Sequence, residues 1–417
     1  MARDFLGFMT EQQRAYGDVV GLRVPRFLNI LLFHPDHVRE ALVHSHDRLI
    51  RWERGTKVFS EAQGQSVIVV EGEAWKQRRK LMQPGFAPKR VEAFVPLMTS
   101  ACEAALSAWP AEREFEIDFE AAMTALTMDV ILRSLFSSSS GEDSRAAASA
   151  VHRIMIEGQS EMFWPASLPD WLPWKAAKRR ALQTLDGLIR RHIALRAGKA
   201  EGDDLLAMLM QLGLTGETLR DECMTTFLAG HETSATALTW WGWCMASHRE
   251  AAERAAAEVA TLEGRTPTLA DIAALPWLTQ TIKEALRLYP PAPALLSRRA
   301  TAEFEVGGYR IPQGALLLLA PGLIQRDARW FTDPEAFKPE RFAPDAPEIP
   351  RGAWMPFGAG PRVCLGQHFA MTEITLIAAM LLQRFAISPA HRAVEPRPLL
   401  NITLRPATPL CLRLIRH

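Results

Sequence analysis

Along most of the chain apolar residues recur at helical spacing, and only a few short stretches show the runs and alternation of strands. Val19, Val20, Leu22 and Val24, then Leu28 and Ile30 to Phe33, read as two short strands split at Pro25-Arg26. His34-Pro35-Asp36 opens a helix through Leu42, and residues 43–70 lack steady periodicity. A cation-rich helix begins at Gly72, and helical patterns fill 91–158, broken by the serine–glycine loop at 137–141. From Met162 to Trp174, tryptophans and prolines cannot continue a helix; so much aromatic surface suits a lid, an apolar contact or plain packing. A long helix runs from about Thr218 to Ser247, and another reaches Tyr289 before Pro290-Pro291 stops it. Strand-like segments follow at 304–311 and 315–319. The pattern predicts a mostly helical chain with a small β-rich part, without repeats, and the short linker near 198–202 marks no second domain.

Composition narrows the class further. Nearly half of the 417 residues are apolar and the net charge is +1, so nothing marks the whole chain as a binder of nucleic acid or another polyanion. Five scattered cysteines form neither a disulfide framework nor a zinc-type cluster. The N-terminus carries charge too early for a signal peptide, and no window is apolar enough for a transmembrane anchor, so a cytoplasmic protein is expected.

Chemistry concentrates near the C-terminus, in Phe357-Gly-Ala-Gly-Pro-Arg362-Val-Cys364-Leu-Gly366. Three glycines and a proline force a bare loop, and the apolar run after it reads as a helix, so Cys364 sits just before a helix N-terminus. Unpaired N–H groups and the helix dipole favour a thiolate there, and Gly366 removes the side chain that would keep a flat ligand away. The string F-x-x-G-x-R-x-C-x-G resembles the haem-ligand loop of the cytochrome P450 family of haem-thiolate monooxygenases.

Other strings extend the resemblance from about residue 15 to 414. Trp75 and Arg79, four apart on one helical face, resemble the family's haem-propionate pair; Arg suits a carboxylate through its planar fork. Ala229-Gly230-His231-Glu232-Thr233-Ser234 is poor local helix logic and resembles the family element in which the helix loosens over the haem to admit dioxygen. By that match Glu232 and Thr233 are the acid and alcohol of a proton relay beside Gly230, and His231 is structural. Glu284 and Arg287, joined by Arg341, resemble the family's structural clasp for the cysteine loop. Arg298 falls at a further propionate position, with Arg299 as the one-residue alternative.

The resemblance implies a mostly α, single triangular domain over 1–417 with a small β-rich region, haem b (iron protoporphyrin IX) ligated by Cys364, and contacts from Phe357, Arg362 and Gly366. It implies oxygen insertion, by hydroxylation or epoxidation, into an apolar small molecule, whether terpenoid, fatty acyl or aromatic. Pocket positions by family match are Val67, Phe227, Ala229, Ala294, Leu295 and Leu296. Leu399 and Leu400 complete the set, on a closing hairpin formed by 399–404 and 410–414. Electrons must come from a separate donor, because about 50 residues follow the cysteine loop. Lys76, Arg78, Lys80, Lys89 and Arg90 form a local basic run suited to an acidic ferredoxin, itself served by a reductase, although solvated surface is the plainer reading of such a run. A haem-based sensor would not need Glu232-Thr233, and peroxide-driven relatives replace that pair.

Overall fold

The computed structural model describes residues 4–24, 27–138, 141–162, 172–196, 202–294 and 297–417. The N-terminal part comprises α1 (Phe5–Tyr16), β1 (Val19–Val24), β2 (Phe27–Leu32), α2 (Pro35–Arg39), β3 (Leu49–Arg51), α3 (Glu53–Gln63) and α4 (Gly72–Met82). Then come α5 (Pro88–Ser107), β4 (Glu114–Asp118), α6 (Phe119–Phe136), α7 (Gly141–Met162), α8 (Ala176–Arg196), α9 (Leu205–Gln211) and α10 (Gly216–Ser247). After α10 follow α11 (Arg249–Ala260), α12 (Leu269–Ile272), α13 (Pro276–Leu288), β5 (Arg298–Ala300), β6 (Phe304–Val306), β7 (Tyr309–Ile311), β8 (Leu316–Leu319) and α14 (Pro321–Ile324). The chain closes with α15 (Gln367–Arg384), β9 (Phe385–Pro389), β10 (Pro398–Asn401), β11 (Thr403–Pro406) and β12 (Cys411–Arg416).

The protein is thus mostly helical, with small sheets. A five-stranded sheet has the order β1-β2-β8-β5-β3, and β4-β12-β9 form a second sheet. Helix α10 is the axis of the core. Phe227, Leu238, Trp240 and Trp241 are fully buried on it, and such all-round burial marks a helix enclosed by others. Glycines let α6 approach closely: a Cβ on Gly242 would stand 2.3 Å from Phe119, and one on Gly230 would stand 2.8 Å from Ile131. That packing explains why α10 runs unbroken through 229–234, where the sequence suggested a loosened helix: enclosure overrides weak local propensity.

Two other expectations change. The segment 43–70 contains β3 and the 11-residue helix α3, an amphipathic helix whose buried face is made of small and polar residues, Gly55, Ala62 and Gln63, beside Val58. The closing hairpin lies wholly within β10 and β11, paired from Pro398↔Pro406 to Asn401↔Thr403. The residues of β12 instead pair with β4 and β9, because Leu412 and Leu414 need a buried sheet face that the hairpin does not offer. The aromatic connector at 163–171 and most of the linker near 198–202 lie outside the described residues.

Candidate functional site

The cysteine loop and α10, far apart in sequence, line one cavity of about 350 Å³. Gly358 and Gly360 take left-handed φ of 77° and 73°. A Cβ on Gly360 would sit 2.0 Å from the Leu42 carbonyl oxygen, so only glycine fits. The Cys364 N–H donates to the Phe357 carbonyl at 3.0 Å, and Gly366 is the N-cap of α15. Cys364 has accessible surface, and that surface opens into the cavity. Burial pushes its thiol up, opposed by the Gly366 N–H donated to sulfur and by the Arg79 charge. A coordinated metal cation reverses this balance, since a coordinating thiol is deprotonated outright.

Guanidiniums crowd one end of the cavity. Arg51, Arg79 and Arg362 line it, and Arg298 lies in an adjoining pocket with Trp75 and Arg362. The β3–β5 register sets Arg51 directly opposite Arg298, a like-charge pair that costs stability. Burial, reinforced by neighbouring guanidiniums, pushes Arg51 down to about 9 and Arg298 down to about 10. The Arg362 guanidinium lies 4.1 Å over the Trp75 ring, and its Nη1 is buried without a partner. Against these cations stands Glu71, which accepts from Arg362 and takes the Arg51 backbone N–H at 3.1 Å. Arg79 donates to the Val363 carbonyl at 2.7 Å, tying α4 to the cysteine loop. A flat apolar group with two carboxylates and a thiolate-binding metal suits this donor set, as haem would. Arg299 is turned away, 3.2 Å from Glu53, so Arg298 is the arginine that faces this end.

On α10, Ala229, Gly230 and Thr233 line the cavity, and the Thr233 hydroxyl donates to the Ala229 carbonyl at 2.8 Å. Glu232 is fully buried but points elsewhere. Its carboxylate accepts from Arg405 at 2.7 and 2.6 Å and from the Thr403 hydroxyl at 2.9 Å. Burial raises its pKa, but the Arg405 and His231 charges together with the hydrogen bonds from Arg405 and Thr403 outweigh that and hold the carboxyl below its usual range. His231 is buried beside it, Nε2 standing 3.7 Å from Glu232 Oε2. Ser234 donates to Glu373 Oε2 at 2.5 Å, and burial pushes Glu373 up to about 8, so a mostly neutral acid links α10 to α15.

Behind the loop, Glu284 and Arg287 are fully buried and joined by bonds of 2.7 and 2.8 Å, with Arg341 Nε 3.2 Å from Glu284 Oε1. Arg287 also donates to the Gln325 carbonyl at 2.8 Å, and Gln325 Oε1 accepts the Met355 N–H at 2.9 Å. A continuous polar path therefore reaches from the three charged residues to the root of the cysteine loop.

Several sequence-predicted residues fall elsewhere. Val67 and Ala229 line the cavity, but Phe227 is fully buried in the core on another face of α10. Leu399 and Leu400 line a separate outer groove with Arg405, because the hairpin turns them outward. Ala294 packs with the apolar cluster that includes Met9, and Pro291 and Ala292 line the cavity in its place. Leu295 and Leu296 lie outside the described residues. In the basic run, Arg78 is bound to buried Glu222 at 2.8 Å and Arg90 donates to the Asp203 carbonyl at 2.7 Å, leaving the exposed Lys76, Lys80 and Lys89. Arg51, Glu71 and Gln325 went unnoticed in the sequence; only strand pairing and tertiary contacts bring them here.

Comparison with known proteins places these features in a family. The model of the cytochrome P450 family matches residues 2–412. Cyclooctatin synthase of Streptomyces melanosporofaciens is 35% identical, over 97% of this chain and 91% of that protein. Cyclooctat-9-en-7-ol 5-monooxygenase of the same organism is 32% identical, over 90% of this chain and 83% of its own length. The 11-oxo-beta-amyrin 30-oxidase of Glycyrrhiza uralensis is 31% identical, over 82% of this chain and 70% of its own.

Proposed function

The chain belongs to the cytochrome P450 family and is a monooxygenase, and on that premise we propose that it inserts one oxygen atom of O₂ into a terpenoid, by hydroxylation or epoxidation. The observation that carries this reading is the cavity shared by Cys364, Thr233 and the guanidiniums of Arg51, Arg79 and Arg362. The family's haem-iron cofactor is haem b in this reading, and when bound it supplies the iron centre for dioxygen chemistry, a Cys thiolate being the ligand type that favours O–O cleavage.

The residues divide the remaining work. Cys364 binds the iron as thiolate, held by the Gly366 N–H, while Phe357 anchors the Cys364 backbone. Arg79, Arg298 and Arg362, with Trp75 and Arg51, would hold the two carboxylates, whose negative charge would relieve the crowding of the guanidiniums. Gly230 keeps the wall of α10 bare beside the reacting atoms. The Thr233 hydroxyl, now donated to the Ala229 carbonyl, could turn that proton into the cavity and so would serve as the alcohol of the relay. Glu232 is the acid of that relay, and it must give up Arg405 to take part. Glu284, Arg287 and Arg341 clasp the loop that carries the thiolate.

The whole of 1–417 acts as one catalytic domain, working in the cytoplasm with electrons from a ferredoxin and its reductase. Among the described residues no helix is long and apolar enough to cross a membrane. Terpenoids are favoured over fatty acyl and aromatic compounds because the relatives' names include cyclooctat-9-en-7-ol and beta-amyrin compounds, and the cavity wall is largely apolar. Optical titration of the haem-loaded protein with polycyclic terpenoids, fatty acids and aromatics tests the choice. A terpenoid is expected to give the largest low-spin to high-spin change; a fatty acid or aromatic that binds tighter and shifts more would refute it.

A further inference from the structure

One place in the apolar cavity wall carries polar groups with nothing to do. Further along α10 the threonines use their hydroxyls on the helix itself: Thr233, Thr236 and Thr239 donate to the carbonyls four residues back at 2.8, 2.9 and 2.7 Å. Thr225 and Thr226 also line the cavity, and they do not. Thr225 Oγ1 is buried without a partner. Thr226 is 8% exposed, and its hydroxyl makes no hydrogen bond among the described residues.

Glu222 stands one turn earlier, on the same face by its spacing of three and four residues. Its Oε1 is engaged by the Val67 N–H and by Arg78, both at 2.8 Å, while Oε2 is buried and unpartnered. Burial pushes this carboxyl up to about 7, so near neutral pH the free oxygen exists both with and without a proton. Buried polar groups are nearly always satisfied, and each exception calls for a water, a ligand or a role. Water can fill the place in the resting protein, but a substrate that displaces it without a replacement loses those bonds. A substrate that brings its own hydroxyl keeps them.

We propose that Thr226 and Thr225, backed by Glu222, form a hydroxyl-recognising subsite, so that the substrate is a terpenoid skeleton already bearing a hydroxyl group. The inference rests on the terpenoid reading above and narrows it. A hydroxyl on the skeleton is installed by a separate reaction, such as an oxygenation or water capture during ring closure, so this oxidation follows such a step.

Matched probes test it: borneol against bornane, and cedrol against cedrane, titrated into the haem-loaded protein by spin-state change and by calorimetry. Wild type is expected to bind the alcohol of at least one pair about tenfold more tightly, the order expected for one satisfied buried hydrogen bond. In the near-isosteric Thr225→Val/Thr226→Val variant, and in Thr226→Val alone, the preference is expected to fall to about twofold through weaker alcohol binding. Thr226→Ser, which keeps the hydroxyl, is expected to retain it. Equal affinities in wild type, an unchanged ratio in the valine variants, or loss of the ratio in Thr226→Ser would overturn the subsite while leaving the terpenoid reading intact. Failure of all four probes to bind wild type would overturn both.

Discussion

A threonine hydroxyl bonded to its own helix is idle until something competes for it, and Thr233 rests in that state on the Ala229 carbonyl. Thr233→Ala is therefore expected to leave substrate binding nearly unchanged while product per reduced nicotinamide drops, because a proton relay matters only after oxygen binds. General acid–base groups are worth about 10²–10⁴-fold, so a clear loss of coupling is expected in turnover with a ferredoxin system; unchanged coupling would remove Thr233 from the relay. At this scale the cysteine loop was readable because glycines, proline and cysteine act through their local backbone. Glu232 was not: its direction is set by Arg405, 173 residues later. Arg51 was hidden for the same reason, since only the β3–β5 register sets it against Arg298.

Elements were readable where one period or a short apolar run dominates, as in α13 and the strands β1 and β2. They failed where pairing partners decide. β12 looks like a hairpin arm in isolation but joins β4 and β9. Residues 284 and 287 lie three apart, which alone suggests a surface pair worth a few tenths of a kcal/mol. Their complete burial at the foot of α13 changes the magnitude. Arg287→Ala leaves Glu284 buried with a weaker set of partners, and breaking such a pair costs about 3–5 kcal/mol. The variant is expected to melt markedly lower and to lose haem on gel filtration. Arg341→Ala should cost less, because Arg341 is partly exposed and its contact with Glu284 is longer. A wild-type melting temperature for Arg287→Ala would show that the clasp does not hold the fold.

For the whole molecule, a net charge of +1 gives no long-range attraction, so docking of an electron donor must rest on local charge. Once Arg78 and Arg90 are removed from the basic run, the exposed Lys76, Lys80 and Lys89 remain. Lys76 lies 3.4 Å from exposed Glu73, a pair that contributes little. Lys76→Glu with Lys80→Glu is expected to slow the first electron transfer from an acidic ferredoxin, and added salt should slow wild type towards the variant, since screening acts over roughly 8–10 Å. Stopped-flow rates indifferent to both changes would place docking elsewhere. The central claim is that Cys364 presents a thiolate to haem iron in the cavity it shares with Thr233. The absorption spectrum of the reduced, carbon monoxide-bound protein tests it most directly. Wild type is expected to show the red-shifted band of thiolate-ligated haem, and Cys364→Ser, which keeps the loop nearly the same size, is expected to lose it. A wild-type protein that binds haem and carbon monoxide yet never shows that band, or a Cys364→Ser variant that keeps it, would contradict the account.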